Sequence, residues 1–137
     1  MSTRLRRYIG APHLTSLETL GLGSNQLTSV PAEFGLLTAL ERLSLDNNQL
    51  TSVPTALGEL TALTSLNLEN NQLTRVPAEL GNLVELMWLE LGGNQLTTVP
   101  SALGRLTALY GLVGRCRLAV SKPVLKAPMV SALETKI

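Results

Sequence analysis

From Leu14 onward, apolar and polar positions recur with a fixed step of 23 residues. Leu20, Leu43, Leu66 and Leu89 form one column, and Leu22, Leu45, Leu68 and Leu91 a second. Asn25, Asn48, Asn71 and Asn94 form a third, and Pro31, Pro54, Pro77 and Pro100 a fourth. Columns that keep register over four units show that repetition, rather than local propensity, governs the chain. Written from its first leucine, each unit reads L-x-x-L-x-x-L-x-L-x-x-N-x-L-T-x-V-P-x-x-L-G-x, with Phe34 the one departure in its column. In L-x-L two leucines flank a polar residue, the period-2 pattern of a strand with one buried face. A strand of that length cannot bury its face alone, so successive units must stack and pair as a parallel sheet with strands about 4.8 Å apart.

The rest of the unit follows from the same arithmetic. The asparagine column comes where the chain leaves the strand and turns inward, and an amide carries two donors and an acceptor for backbone groups of its own and adjacent turns. Those asparagines are predicted to be structural. In V-P-x-x-L-G the proline pre-sets φ for a first helical turn on the far side, and Gly35, Gly58, Gly81 and Gly104 are predicted to end that turn in the left-handed conformation. A fifth unit starts correctly at Leu106, Leu109 and Leu112, then places Gly114, Arg117 and Ala119 in columns that want Leu, Asn and Leu. The chain thus divides into a lead-in, 1–13, an array of four complete units and one partial unit, 14–113, and a basic stretch without repeats, 114–137. That last stretch is open to three readings: a cap, a disordered tail, or sequence unrelated to the array. A monomer is expected; with no recognisable cap at either end, the alternatives are a fragment of a longer array or end-to-end association through the terminal units.

This pattern resembles the leucine-rich repeat, and the V-P-x-x-L-G form resembles most closely the intracellular Ras-scaffold, Scribble/Erbin and plant Ras-group subfamily, over Leu14 to about Leu112. The resemblance implies an α/β repeat fold: a leucine-rich repeat solenoid with a parallel sheet on its concave face and short helical or 3-10 turns on its convex face. It also implies a scaffold or adaptor role in signalling, with a small GTPase or a signalling complex as partner.

Composition adds mainly exclusions. No apolar run approaches the 18 residues of a membrane span, and the three arginines near the N-terminus precede no hydrophobic stretch of the kind secretion needs. A single cysteine, Cys116, provides no intrachain disulfide, and this favours a cytoplasmic location. The only histidine, His13, lies at the opposite end of the array from Cys116, so a nucleophile–base pair is not expected. One Cys and one His do not make a structural zinc site. The glycines recur at repeat spacing and never as a phosphate-binding loop. No enzymatic activity and no cofactor are therefore expected. The net charge of +1 conceals a split. Residues 14–113 carry nine acids against three arginines, a net of −6, whereas the two ends carry eight bases against one acid, a net of +7. An acidic array does not suit phosphate backbones, so nucleic acid is not expected as a partner.

Function in such an array belongs to the outward columns of the sheet, because the consensus columns are committed to packing. The residues before each strand's first Leu are Thr19, Arg42, Ser65 and Trp88, and those between its two Leu are Gly21, Ser44, Asn67 and Glu90. Beyond the strand come Gly23, Asp46, Glu69 and Gly92, then Ser24, Asn47, Asn70 and Gly93. Trp88, the only Trp, stands where every counterpart is polar, and Trp is the residue most enriched in binding hot spots. The candidate partner-binding residues are Arg42, Ser44, Asp46, Ser65, Asn67, Glu69, Trp88 and Glu90. They define a non-enzymatic protein-interaction face for a polypeptide offering basic and apolar groups. The alternative is a structural or truncated array with no dedicated ligand.

Overall fold

The computed structural model describes residues 14–109 and the backbone of the strand 111–113. Readings that fall on 1–13 and 114–137, among them His13, Cys116 and the three alternatives for the basic stretch, lie outside the described residues. Five three-residue strands form one parallel sheet in sequence order: β1 (Thr19–Gly21), β2 (Arg42–Ser44), β3 (Ser65–Asn67), β4 (Trp88–Glu90) and β5 (Gly111–Val113). The pairing register equals the repeat step, with Leu20 opposite Leu43, Leu43 opposite Leu66, Leu66 opposite Leu89 and Leu89 opposite Leu112. Identical columns therefore lie side by side across the sheet, so what the sequence places in one column becomes a continuous stripe.

The V-P-x-x-L-G segments form 3-10 turns: Ala32–Leu36, Thr55–Glu59, Ala78–Asn82 and Ser101–Arg105. Each is preceded by its proline at φ between −70° and −59°. Between the strands and these turns lies one continuous core of stacked leucines, joined by Phe34, Val30, Val53 and Val76. Phe34 is fully buried in the leucine column, so the one departure from the consensus is a volume change in the same slot.

Two predicted backbone roles change. Gly35, Gly58 and Gly81 are not left-handed. Their conformation is ordinary, and what they supply is the missing Cβ: one built there would lie 2.7 Å from the carbonyl oxygen of Ala56, 2.6 Å from that of Glu79 and 2.4 Å from that of Ala102, respectively. Successive 3-10 turns touch backbone to backbone at these positions, and only glycine allows it. Gly104 likewise does not take a positive φ. The left-handed residues are instead Ser24, Asn47, Asn70 and Gly93, at φ between 51° and 66°, each three residues past the end of its strand. Asn, Gly and, less readily, Ser are the residue types that accept this conformation at low cost.

The asparagine column is interior, as its sequence pattern predicts. Asn48 and Asn71 are buried, and each binds its own turn and the one before it. The Asn71 amide donates to the carbonyls of Leu45, Leu68 and Glu69 at 2.9 to 3.2 Å, while its oxygen accepts the Leu50 N–H at 3.0 Å. Asn48 and Asn94 repeat the arrangement one turn to either side. Asn25, in the first described unit, is exposed, and its amide donates to the carbonyls of Leu22 and Gly23 in its own turn. Among the described residues no buried side-chain nitrogen or oxygen lacks a hydrogen-bond partner, as close-packed interiors require.

Candidate functional site

The sheet register assembles the predicted face residue by residue. Arg42, Ser65 and Trp88 follow one another along one stripe, and Ser44, Asn67 and Glu90 along the next. Asp46 and Glu69 form a third stripe, because the ladder continues past the strands: the Asn47 N–H donates to the Glu69 carbonyl and the Asn70 N–H to the Gly92 carbonyl, at 2.9 and 2.8 Å. Glu69 therefore sits diagonally from Glu90 rather than directly beside it. All eight candidate residues share one face, since residues two apart on a strand point the same way.

They are not equally available. The Ser44 hydroxyl donates to Asp46 Oδ1, and Asn47 Nδ2 donates to Asp46 Oδ2 at 2.6 Å. These bonds, the Ser44 one foremost, outweigh partial desolvation and hold the Asp46 carboxyl below its ordinary range. The Gly23 position leaves room for this cluster, for a Cβ there would sit 2.5 Å from Asp46 Oδ1. Asn67 is also engaged locally, its Oδ1 accepting the Glu69 backbone N–H at 2.9 Å. Ser44, Asp46 and Asn67 thus shape the face through local hydrogen bonds, and their sequence alone does not reveal this because a polar column looks the same whether its groups are free or paired. The Ser24, Asn47, Asn70 and Gly93 stripe has its own role. Asn70 Nδ2 donates to Asn47 Oδ1 at 3.1 Å, a short amide ladder along the rim, and a Cβ at Gly93 would fall 2.1 Å from Asn70 Oδ1.

Arg42, Ser65, Trp88 and the two glutamates remain. The indole is 47% exposed, although its strand is flanked by others on both sides and Leu89 beside it is fully buried. Glu90 is half-buried, and its carboxyl is pushed above the ordinary range, first by desolvation and then by the charges of Glu69 and Asp46. A folded-state pKa above the unfolded value means that the native state holds its proton more tightly, so the ionised carboxylate detracts from stability above that window. Glu90→Gln is therefore expected to raise the unfolding midpoint at pH 7. The gain, at most about 1 kcal/mol for a solvent-screened group, should vanish as pH falls below about 4, where both states are protonated. Thermal melts of both proteins across that range check it, and a Gln variant no more stable at pH 7 would contradict the strain on Glu90.

Two exposed apolar side chains lie outside this face. Leu36 is 56% exposed at the end of its 3-10 turn, in a column otherwise holding Glu59, Asn82 and Arg105. Val84 is 48% exposed where the other units have threonine. The signal that singles out Trp88, an apolar residue in a polar column, was present for both. A shallow groove also runs between the second and third units, lined by Val53, Pro54, Val76 and Pro77 with Arg75 and Glu79 at its rim. Among the described residues no group of His, Cys, Asp and Glu is placed to hold a metal, and no helix is long and apolar enough to cross a membrane.

Comparison with known proteins places this architecture. The family model described as Leucine rich repeat matches residues 15–73 and 61–112. An LRR protein of Leptospira interrogans is 35% identical over 91% of this chain and 32% of its own, with a TM-score of 0.75. The LRR ectodomain of the plant membrane receptor kinase GASSHO1/SCHENGEN3 from Arabidopsis thaliana, solved in complex with CASPARIAN STRIP INTEGRITY FACTOR 2, is 38% identical over 79% of this chain and 13% of its own, with a TM-score of 0.71. InlJ of Listeria monocytogenes, at 24% identity and a TM-score of 0.66, shares the fold over 78% of this chain and 22% of its own. The chain thus spans about a third or less of the length of these structures. No curated protein matches it.

Proposed function

The chain belongs to the leucine-rich repeat family, and from that premise we propose that it is a non-enzymatic interaction module that binds a polypeptide on its sheet face. Leucine-rich repeat domains generally mediate protein–protein contacts, and the Arabidopsis ectodomain was solved in complex with CASPARIAN STRIP INTEGRITY FACTOR 2. The observation that carries the assignment is the half-exposed indole of Trp88 in a stripe otherwise occupied by Arg42 and Ser65, with Glu90 on the same strand. A large apolar group held out on a rigid strand is an anchor waiting for a pocket or a chain to cover it. The carboxylates that crowd Glu90 set the chemistry of the partner, since a Lys or Arg brought between Glu69 and Glu90 relieves their mutual repulsion. The partner therefore offers an apolar group for Trp88 and cationic groups for the acids. Spanning about five strands, the face is roughly 20 Å along the stack, enough for one partner of modest footprint.

The 23-residue consensus supports a finer reading, a cytoplasmic scaffold of the Ras-scaffold type whose partner is a small GTPase or a signalling complex. The single Cys116 supports the same compartment.

The test is charge reversal. A partner recovered with the immobilised wild-type chain should bind Glu69→Lys/Glu90→Lys more weakly, by on the order of tenfold at low salt and less at high salt, since exposed charges act through screened, long-range attraction. Glu59→Lys/Glu79→Lys, on the exposed 3-10 turns, should bind as wild type. Equal effects of both pairs would show that net charge and not the sheet face governs binding.

A further inference from the structure

We propose that the groove between the second and third units, lined by Val53, Pro54, Val76 and Pro77, is a second docking site whose occupant is an extended polypeptide segment carrying a single acidic side chain next to an apolar one. The site is separate from the sheet face and stands whether or not Trp88 is an anchor.

Backbone chemistry is the first argument. The ladder between these two units ends where the Gln72 N–H donates to the Leu50 carbonyl at 2.9 Å. Bonding resumes in the 3-10 turns, where the N–H groups of Leu57 and Leu80 return to the carbonyls of Pro54 and Pro77. In the gap between, the backbone N–H and C=O groups of Ser52, Val53, Arg75 and Val76 have no hydrogen-bond partner among the described residues. Adjacent extended stretches with unpaired backbone offer the same template that a sheet edge offers to an added strand. They are also rigid, since Pro54 and Pro77 hold φ at −70° and −68° and ψ at 148° and 146°, so binding has little left to order.

Volume and charge select the occupant. The groove offers about 420 Å³, within the range of ligand clefts, and walls of valine and proline favour an apolar side chain. Arg75 stands in a column otherwise holding Ser29, Ser52 and Thr98. It is exposed at the groove and makes no ion pair among the described residues, not even with Glu79, which lines the same groove. A guanidinium with its donors open beside an apolar cleft is matched by a carboxylate, which it can grip with two parallel bonds. Glu79 limits that charge, because it repels a second acid. The segment runs through the groove rather than ending in it, since a chain end would leave part of the unpaired backbone unmatched.

The test titrates the 15N-labelled full-length chain with acetylated, amidated heptapeptides. Each has glycine and serine ends and a centre of Asp or Glu followed by Val, Leu, Met or Phe. Concentrations reach about 1 mM, which half-saturates even a site with a Kd of that size. At least one peptide should shift the amide signals of Ser52, Val53, Arg75 and Val76 saturably and leave the Trp88 indole N–H in place. Replacing the peptide's acid by its amide should weaken binding about fivefold at low salt, the contribution of one exposed charge pair. Arg75→Ser, which returns the column to its usual residue type, should do the same, and a second acid in the peptide should not strengthen binding. Trp88→Ala should bind the peptide as wild type does, so loss of partner binding at the sheet face and loss of peptide binding at the groove are read separately. No saturable shift from any peptide overturns the proposal, as do equal affinities for acid and amide peptides. Shifts centred on Trp88 and Glu90 overturn it by assigning the peptide to the sheet face. Preference for Gly-Gly-Leu with a free carboxylate overturns it by assigning the groove to a chain end.

Discussion

Asn71→Ala is expected to destabilise the fold by about 3 to 5 kcal/mol, the largest effect of any single polar truncation in the described array. The amide of Asn71 serves four backbone groups in two successive turns, the carbonyls of Leu45, Leu68 and Glu69 and the N–H of Leu50. Alanine leaves these groups inside a core that excludes water, at about 1 to 3 kcal/mol for each one left without a partner. Against a total stability of about 5 to 15 kcal/mol, that loss brings the chain to the edge of unfolding. Gln72, the next residue, is exposed, and Gln72→Ala should fall within about 0.5 kcal/mol of wild type. Asn25→Ala provides an internal comparison, since Asn25 is exposed and its amide donates to the Leu22 and Gly23 carbonyls of its own turn. The denaturant midpoint of Asn71→Ala should fall well below those of Asn25→Ala and Gln72→Ala, and equal midpoints would contradict the interior role of the asparagine column.

The contrast between Asn71 and Asn25 shows how far the sequence could be read. The repeat step alone set the strands, their parallel order and their register, because a 23-residue period with alternating leucines admits one way of burying every apolar column. It also placed Trp88 on the open face, since its column is polar in every other unit. What it could not supply depended on distances between turns. A glycine column at Gly35, Gly58 and Gly81 is compatible with a left-handed backbone or with close approach of a neighbour, and only the stacked structure, with the Ala56, Glu79 and Ala102 carbonyls pressed against them, distinguishes the two. The left-handed turn at Asn47, Asn70 and Gly93 left a trace in its restricted residue types, but small polar residues on a sheet rim look equally like variable surface. The pairing of Ser44 with Asp46 is a local hydrogen bond between residues two apart on one face, for which a column pattern carries no signature.

The binding face has its own large expected effect. Trp88→Ala removes the one aromatic group on the described sheet face. Truncating an anchor that becomes desolvated in a complex costs more than about 2 kcal/mol, or roughly 30-fold in affinity. The carboxylates around it change association rate and salt dependence more than the lifetime of the complex. The fold should barely notice, because nearly half of the indole is already in water and the leucines on either side of the strand hold it in place. A loss of binding with an unchanged melt is the signature of a contact residue. A loss of both would belong to a packing residue.

The affinity of a captured partner for wild-type chain and for Trp88→Ala, measured alongside thermal unfolding of both, is therefore the most direct test. Binding to Trp88→Ala is expected to be at least about 30-fold weaker, with an unfolding midpoint indistinguishable from wild type. A partner that binds Trp88→Ala as tightly as wild type, and instead loses affinity when Leu36 or Val84 is changed to Ser, would place the function on the other side of the solenoid and contradict the assignment of the sheet face.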